Sequence, residues 1–164
     1  MAREKKRAIY PGTFDPVTNG HMDIIQRSSG LFDHVIVGVT TNPSKTPLFS
    51  AEARIKMIQD EVSMIENVDV RGFDGLLMDY ARKNNAHVVV RGLRAITDFE
   101  FELQMALMNR KLADEIVTVF LMPNEKYTYL NSTIVKEVAK FEGDISSFVS
   151  PAVERLLVRK FKSA

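Results

Sequence analysis

The amino-acid sequence predicts an α/β protein with a doubly wound, five-stranded parallel sheet, and three observations carry that expectation. Short β-branched runs alternate with stretches of helical period. Val35-Ile36-Val37-Gly38-Val39 and Val88-Val89-Val90 are apolar without a break, as suits strands covered on both faces. The first strand signal leads directly into Gly12-Thr13-Phe14-Asp15-Pro16-Val17-Thr18-Asn19-Gly20-His21, a turn rich in glycine, hydroxyl and imidazole. In an open parallel sheet that turn lies at the carboxyl edge of the strands, where ligands bind.

The elements follow in order. Arg7–Tyr10 is the short apolar strand ahead of that turn, and Gly20–Leu31 is the helix behind it. His34–Thr40 is the strand holding the first unbroken apolar run. The Asn42–Pro47 segment behind it reads as loop and hangs over the same edge as the first turn. Ser50 is a plausible N-cap for a helix over Ala51–Ile65, with Glu52 in its first turn. Val68–Gly72 reads as a strand and Leu76–Asn84 as a helix. His87–Arg91 is the strand around the second apolar run, and Thr97–Leu112 is a helix. Ile116–Leu121 closes the set of strands. Ser132–Phe141 starts at the N-cap pattern Asn131-Ser132-Thr133, and Pro151 behind Ser150 suits the start of a last helix, Pro151–Lys162.

A chain of 164 residues is expected to form one domain over 1–164, with the last helix packed on it. We find no repeat, low-complexity segment or linker. A net charge of +1 gives no bulk electrostatic case for nucleic acid or a membrane surface. The absence of cysteine excludes disulfides, thiolate metal sites and cysteine nucleophiles, and fits a reducing cytosol. The basic start has no signal-peptide core behind it, and no apolar run approaches the roughly 18 residues of a membrane span. A cytoplasmic location is the expectation.

The helix Thr97–Leu112 has two apolar stripes. Phe99, Leu103 and Leu107 form one, and Phe101, Met105, Met108 and Leu112 form another on the opposite side. One stripe is expected to cover the chain's own sheet. The other needs a partner, either the last helix of the same chain or, as preferred, a second subunit in a symmetric oligomer.

The chemistry gathers at the carboxyl edge of the strands: Thr13, His21, Lys45, Arg91 and Arg94, with Ser132 and Thr133 at a later helix start. This is a set of cations, hydroxyls and one histidine, without an acid–base or nucleophile–base pair. Such a set positions phosphates and stabilises developing charge, which suits phosphoryl or nucleotidyl transfer. Arg91 ends an apolar run, so its stem is expected to be buried and its head must find an anion. His34 and His87 begin strands and read as structural. No His, Asp or Glu spacing makes a protein-held metal site, so a metal would arrive with a nucleotide. Neither Gly-x-x-x-x-Gly-Lys-Ser/Thr nor Gly-x-Gly-x-x-Gly is present.

The Thr-x-Gly-His element at 18–21 resembles the signature of the nucleotidyltransferase superfamily related to class I aminoacyl-tRNA synthetases. Ala8-Ile9-Tyr10-Pro11-Gly12-Thr13-Phe14-Asp15-Pro16 is similar to the opening of bacterial phosphopantetheine adenylyltransferases. Pro43-Ser44-Lys45, Arg91-Gly92-Leu93-Arg94 with Asp98-Phe99-Glu100, Val119-Phe120-Leu121-Met122-Pro123 and Ser132-Thr133-Ile134-Val135-Lys136-Glu137 resemble that family in its order. The resemblance implies a Rossmann-like nucleotidyltransferase fold and the penultimate step of coenzyme A synthesis, from ATP and 4′-phosphopantetheine to dephospho-coenzyme A and pyrophosphate.

It also implies roles. His21 would steady the transition state at the α-phosphate, with Lys45 and Arg94 acting beside it. Thr13, Lys45, Leu77 and Arg91 would hold phosphopantetheine. Thr13, Phe14, His21, Gly92, Leu93, Arg94, Glu102 and the segment Tyr127, Thr128, Tyr129, Leu130, Asn131, Ser132 and Thr133 would hold ATP. Magnesium would come with ATP, and the family's usual assembly is a homohexamer. Asn131 stands where the family often has a serine; it keeps a polar cap and changes the donor set. Two alternatives stand beside this reading: a transferase for another phosphorylated acceptor, and a non-catalytic nucleotide or coenzyme A sensor. The first is not expected to have the Arg91–Arg94 block, and the second is expected to lose a reactive residue.

Overall fold

A computed structural model describes residues 6–41, 46–94 and 96–162, except for the side chains of 96–98. Strands β1 (Arg7–Gly12), β2 (His34–Thr40), β3 (Val68–Phe73), β4 (Val88–Gly92) and β5 (Val117–Leu121) form one sheet in the order β3-β2-β1-β4-β5. Every pairing is parallel. The helices are α1 (Asn19–Leu31), α2 (Ala51–Glu61), α3 (Leu77–Lys83), α4 (Ile96–Leu112), α5 (Ser132–Lys140) and α6 (Pro151–Lys162), with a 3-10 turn at Glu125–Tyr127. The doubly wound, Rossmann-like expectation is borne out.

Strand order reverses between β1 and β4, which makes a crevice at their carboxyl ends. The registers show it. β1 pairs with β2 from Arg7↔His34 to Gly12↔Val39, whereas with β4 it pairs only at Ala8↔Val88 and Ile9↔Val89. Beyond Ile9 and Val89 the two strands part.

Alternation along the strands sorts the core onto two unequal faces. Ala8, Tyr10, Val35, Val37, Val39 and Val90 pack with Ile24, Ile25, Met57, Ile58, Val135, Val153 and Leu157 from α1, α2, α5 and α6. Ile9, Ile36 and Val89 form a smaller cluster with Met78 and Ala81 of α3 and with Ala113 and Ile116. The last helix, α6, rests against α5.

Two expectations need correction. α2 ends at Glu61 and not at Ile65. The chain must turn there to enter β3, and Asn67 fixes the turn by donating from Nδ2 to Ser29 O at 2.9 Å and Phe32 O at 3.0 Å. The second concerns α4, neither of whose apolar stripes covers the sheet. Phe99, Phe101, Leu103, Met105, Leu107, Met108 and Leu112 are all exposed, from 39% to 60%. Among the described residues of the helix the buried side chains are instead Glu102 and Asn109, seven residues and two turns apart on one face. α4 springs from the crevice edge of the sheet, so its inward row borders a ligand cavity, and polar groups take the place of an apolar stripe. The last helix covers neither stripe, since both are exposed and α6 sits on α5.

Candidate active site

The first turn is shaped by its own residues. Gly12 is needed because a Cβ there would stand 2.8 Å from the Phe14 ring, which folds back over the strand end. Phe14 has φ 51°, a left-handed backbone that costs a bulky residue on the order of 1 kcal/mol or more. Burial offsets that cost: Phe14 is 3% exposed and meets Tyr10 and His21 edge-on, at ring-centre distances of 5.4 and 5.0 Å. The Asp15–Pro16 peptide is cis. Asp15 accepts from Leu48 N at 2.8 Å, Phe49 N at 2.9 Å and Lys136 Nζ at 2.6 Å, which ties the turn to α5.

His21 is part of a helix cap. Thr18 caps α1, and its Oγ1 lies 3.4 Å from His21 N. In return the Thr18 N–H donates to His21 Nδ1 at 3.0 Å. An amide nitrogen can only donate, so Nδ1 is the acceptor and the neutral ring carries its proton on Nε2. Burial, and after it the charges of Arg94 and Arg91, lowers His21 from 6.5 to about 4. At neutral pH the ring is a fixed, uncharged donor.

Arg91 finds its anion within the chain. Nε and Nη2 bind Glu102 side-on, at 2.7 and 2.5 Å, while Nη1 donates to Pro11 O at 3.1 Å. That last bond bridges the parted ends of β1 and β4. Burial disfavours the charged guanidinium, but the Glu102 hydrogen bonds and charge outweigh it and raise Arg91 above its ordinary value. The Tyr10 phenol, also in the crevice, is pushed up by burial against the lowering charges of Arg91 and Arg94.

Arg94 donates from Nη1 to Leu130 O at 2.9 Å, joining the β4 end to the segment before α5. In that segment Asn131 caps α5 by accepting from Ile134 N at 2.8 Å, and Ser132 Oγ donates to Pro16 O at 2.7 Å. The N-cap reading of Asn131 is therefore correct, and the Ser132 hydroxyl proton is engaged within the chain.

These groups surround one cavity of about 600 Å³. Of the expected site residues, Thr13, Phe14, His21, Leu77, Arg91, Gly92, Arg94, Glu102 and Leu130 line it. Leu93, Tyr127, Thr128, Tyr129, Asn131, Ser132 and Thr133 are not among its lining residues. Leu93 N prolongs the sheet by donating to Leu121 O at 2.9 Å, and Tyr127 lies against Gly20. Tyr129 and Thr133 are exposed. Lys45 lies outside the described residues. His34 and His87 stand at the amino edge, away from the cavity, with His34 Nε2 3.3 Å from Asp69.

Sequence reasoning missed Tyr10, Phe73 and Asn109 as lining residues, and it read Met105, Met108 and Leu112 only as part of an apolar stripe although they line the cavity. The spacing Glu102, Met105, Asn109, Leu112 was the available signal, a single helical row of mixed polarity.

Residues 9–138 match the cytidylyltransferase-like family. A phosphopantetheine adenylyltransferase of Alkaliphilus metalliredigens (strain QYMF) is 54% identical over 155 residues, covering 94% of this chain and 99% of that protein. Among solved structures, a nicotinic acid mononucleotide adenylyltransferase of Plasmodium falciparum superposes with a TM-score of 0.72 at 13% identity, covering 95% of this chain and 96% of the other. A bifunctional NMN adenylyltransferase/ADP ribose pyrophosphatase of Francisella tularensis gives 0.72 at 16% identity, over 97% of this chain and 50% of the other. At such identities these two structures speak for the fold alone.

Proposed function

The chain belongs to the cytidylyltransferase-like family and within it to the phosphopantetheine adenylyltransferases, and from that premise we propose how its cavity works. The reaction moves AMP from ATP to 4′-phosphopantetheine. An acceptor phosphate oxygen bonds to the α-phosphorus, the α–β bridge breaks, and its electron pair leaves with pyrophosphate. The acceptor phosphate is already anionic near neutral pH, so no general base is required. What the site must do is bring two anions together and steady added charge at the α-phosphorus.

The observation that carries this reading is the Thr18–His21 cap, which fixes a neutral Nε2–H donor on a ring lining the same cavity as Arg91 and Arg94. We assign that donor to the α-phosphate. Thr13 stands at the junction of the two substrates. Arg91, Leu77 and Lys45 hold the acceptor, and Asn109 joins them as an amide on the cavity wall. Phe14, Gly92, Leu93, Arg94 and Glu102 with the segment Tyr127 to Thr133 hold ATP, and Lys45 and Arg94 add charge at the reacting centre.

Among the described residues no group of three His, Asp or Glu side chains could hold a metal, and Glu102 is already bound by Arg91. This donor set does not fit a protein-held ion; magnesium would come with ATP and would supply charge neutralisation, with no ligand from these side chains. The exposed apolar residues of α4 support a homo-oligomer, which we read as the homohexamer usual in the family. Among the described residues no helix is long and apolar enough to cross a membrane. We take residues 1–164 to act as one catalytic domain in the cytoplasm.

The test is pyrophosphate release with ATP or CTP, with and without phosphopantetheine. Turnover with ATP that depends on phosphopantetheine is expected. Turnover only with CTP, or independent of the acceptor, refutes the assignment.

A further inference from the structure

Arg54 is a buried charge that the scheme above does not use. It lies on the inward face of α2 with Met57 and Ile58 and is 2% exposed. Its Nε donates to Phe49 O at 3.1 Å, and its Nη1 donates to Thr13 O at 2.6 Å and Thr40 O at 3.0 Å. Among the described residues it forms no ion pair with a carboxylate.

The register explains why it sits there. The last ladder pair of β1 with β2 is Gly12↔Val39, so Thr13 and Thr40 are the next residues on the two strands. Their carbonyls converge on the Arg54 guanidinium. Arg91 does the same on the other side of β1, through Pro11 O. The end of β1 is thus held between two guanidinium groups, one reaching the cavity and one behind it. Burying a charge with only carbonyls for company is costly, and tying two strand ends together does not by itself call for a full charge. Thr13 lines the cavity, so an anionic substrate bound there would bring the opposite charge.

We propose that Arg54 is a positioning residue for the transfer reaction: it fixes Thr13 at the junction of the two substrates and sets a buried positive charge behind the phosphate site. This rests on the functional reading above. Arg54 touches no substrate and acts through the Thr13 backbone.

The experiment is a double-mutant cycle in the full chain. Arg54→Lys keeps the charge but loses the planar fork, and it is expected to lower kcat/KM for phosphopantetheine about tenfold. In a Thr13→Ala background the same change is expected to cost less than about twofold, because the group it positions is gone. ATP affinity, measured by equilibrium binding, stays as in the wild type. Ile58→Val, on the same buried face of α2, is the control for loss of packing and is expected to lower the thermal midpoint with unchanged kinetics. Equal losses in both Thr13 backgrounds, or wild-type kinetics in a folded Arg54→Lys, overturn the proposal. If Arg54→Lys does not fold, Arg54→Gln takes its place, and failure of both to fold makes the role structural, which also overturns it. Failure of the functional reading is separate: it shows as absent wild-type turnover before any variant is compared.

Discussion

Replacing His21 separates two roles that one ring performs. Its Nδ1 accepts from the N–H of Thr18, a residue only 3% exposed, and its Nε2–H is the donor assigned to the α-phosphate. His21→Ala removes both. Leaving the Thr18 N–H unpaired costs about 1–3 kcal/mol. At about 2–4 °C per kcal/mol for a chain of this size, the thermal midpoint falls by roughly 2–12 °C. Losing the donor lowers kcat on the order of 10²–10³-fold. His21→Asn places an amide oxygen near the position of Nδ1, so it is expected to recover the stability and not the turnover. His21→Gln places an amide N–H near Nε2, so it is expected to recover part of the turnover and not the stability. Melting curves and pyrophosphate release on the three variants read both effects. If Asn and Gln match Ala in both measurements, the division of labour between the two nitrogens is wrong.

The remaining predictions concern pH, the Arg91 partner and assembly. His21 is lowered to about 4 from 6.5, so between those values the unfolded chain takes up a proton that the folded chain refuses. Its contribution to stability is complete above about 6.5 and is lost as pH falls towards about 4, so wild type should lose thermal midpoint more steeply across that window than His21→Asn. Glu102→Gln leaves Arg91 with one acceptor in place of a bidentate carboxylate, at a cost of roughly 1–3 kcal/mol, and should lower kcat/KM for the acceptor about tenfold. A loss confined to the KM for ATP would make Glu102 a nucleotide contact alone. Leu107→Glu, at a site 57% exposed and outside the cavity lining, should shift the assembly toward smaller species in sedimentation while each chain stays folded. An unchanged sedimentation profile places the subunit contact elsewhere.

The middle of the sheet was legible because β2 and β4 bury their central residues and so write their positions as unbroken apolar runs. The first turn was legible because glycine, hydroxyl and histidine in that order have few structural uses behind a strand. Periodicity failed on α4 for a physical reason. It looks for the apolar face and assigns it inward, but here the inward row borders a polar cavity and holds Glu102 and Asn109. Arg54 was illegible for a related reason: a charged residue three positions after the start of an amphipathic helix reads as solvent-facing, and only the Thr13 and Thr40 carbonyls reveal otherwise. The sequence did predict that Arg91 must find an anion; that Glu102 is the anion required the fold, since the two approach only when α4 leans over the crevice.

The unequal division of the core across the sheet bears on how the molecule comes apart. α3 is held by the smaller cluster, through Met78 and Ala81, while α1, α2, α5 and α6 share the larger one. α3 is therefore expected to open before α1, α2, α5 and α6, at a free energy below that of global unfolding, and its amides to exchange with solvent before theirs. Leu77, the first residue of α3, lines the cavity. A ligand that contacts it favours the closed form, so phosphopantetheine should slow exchange in α3 more than in α6. Equal slowing of both helices would mean that the sheet's two sides open as one unit.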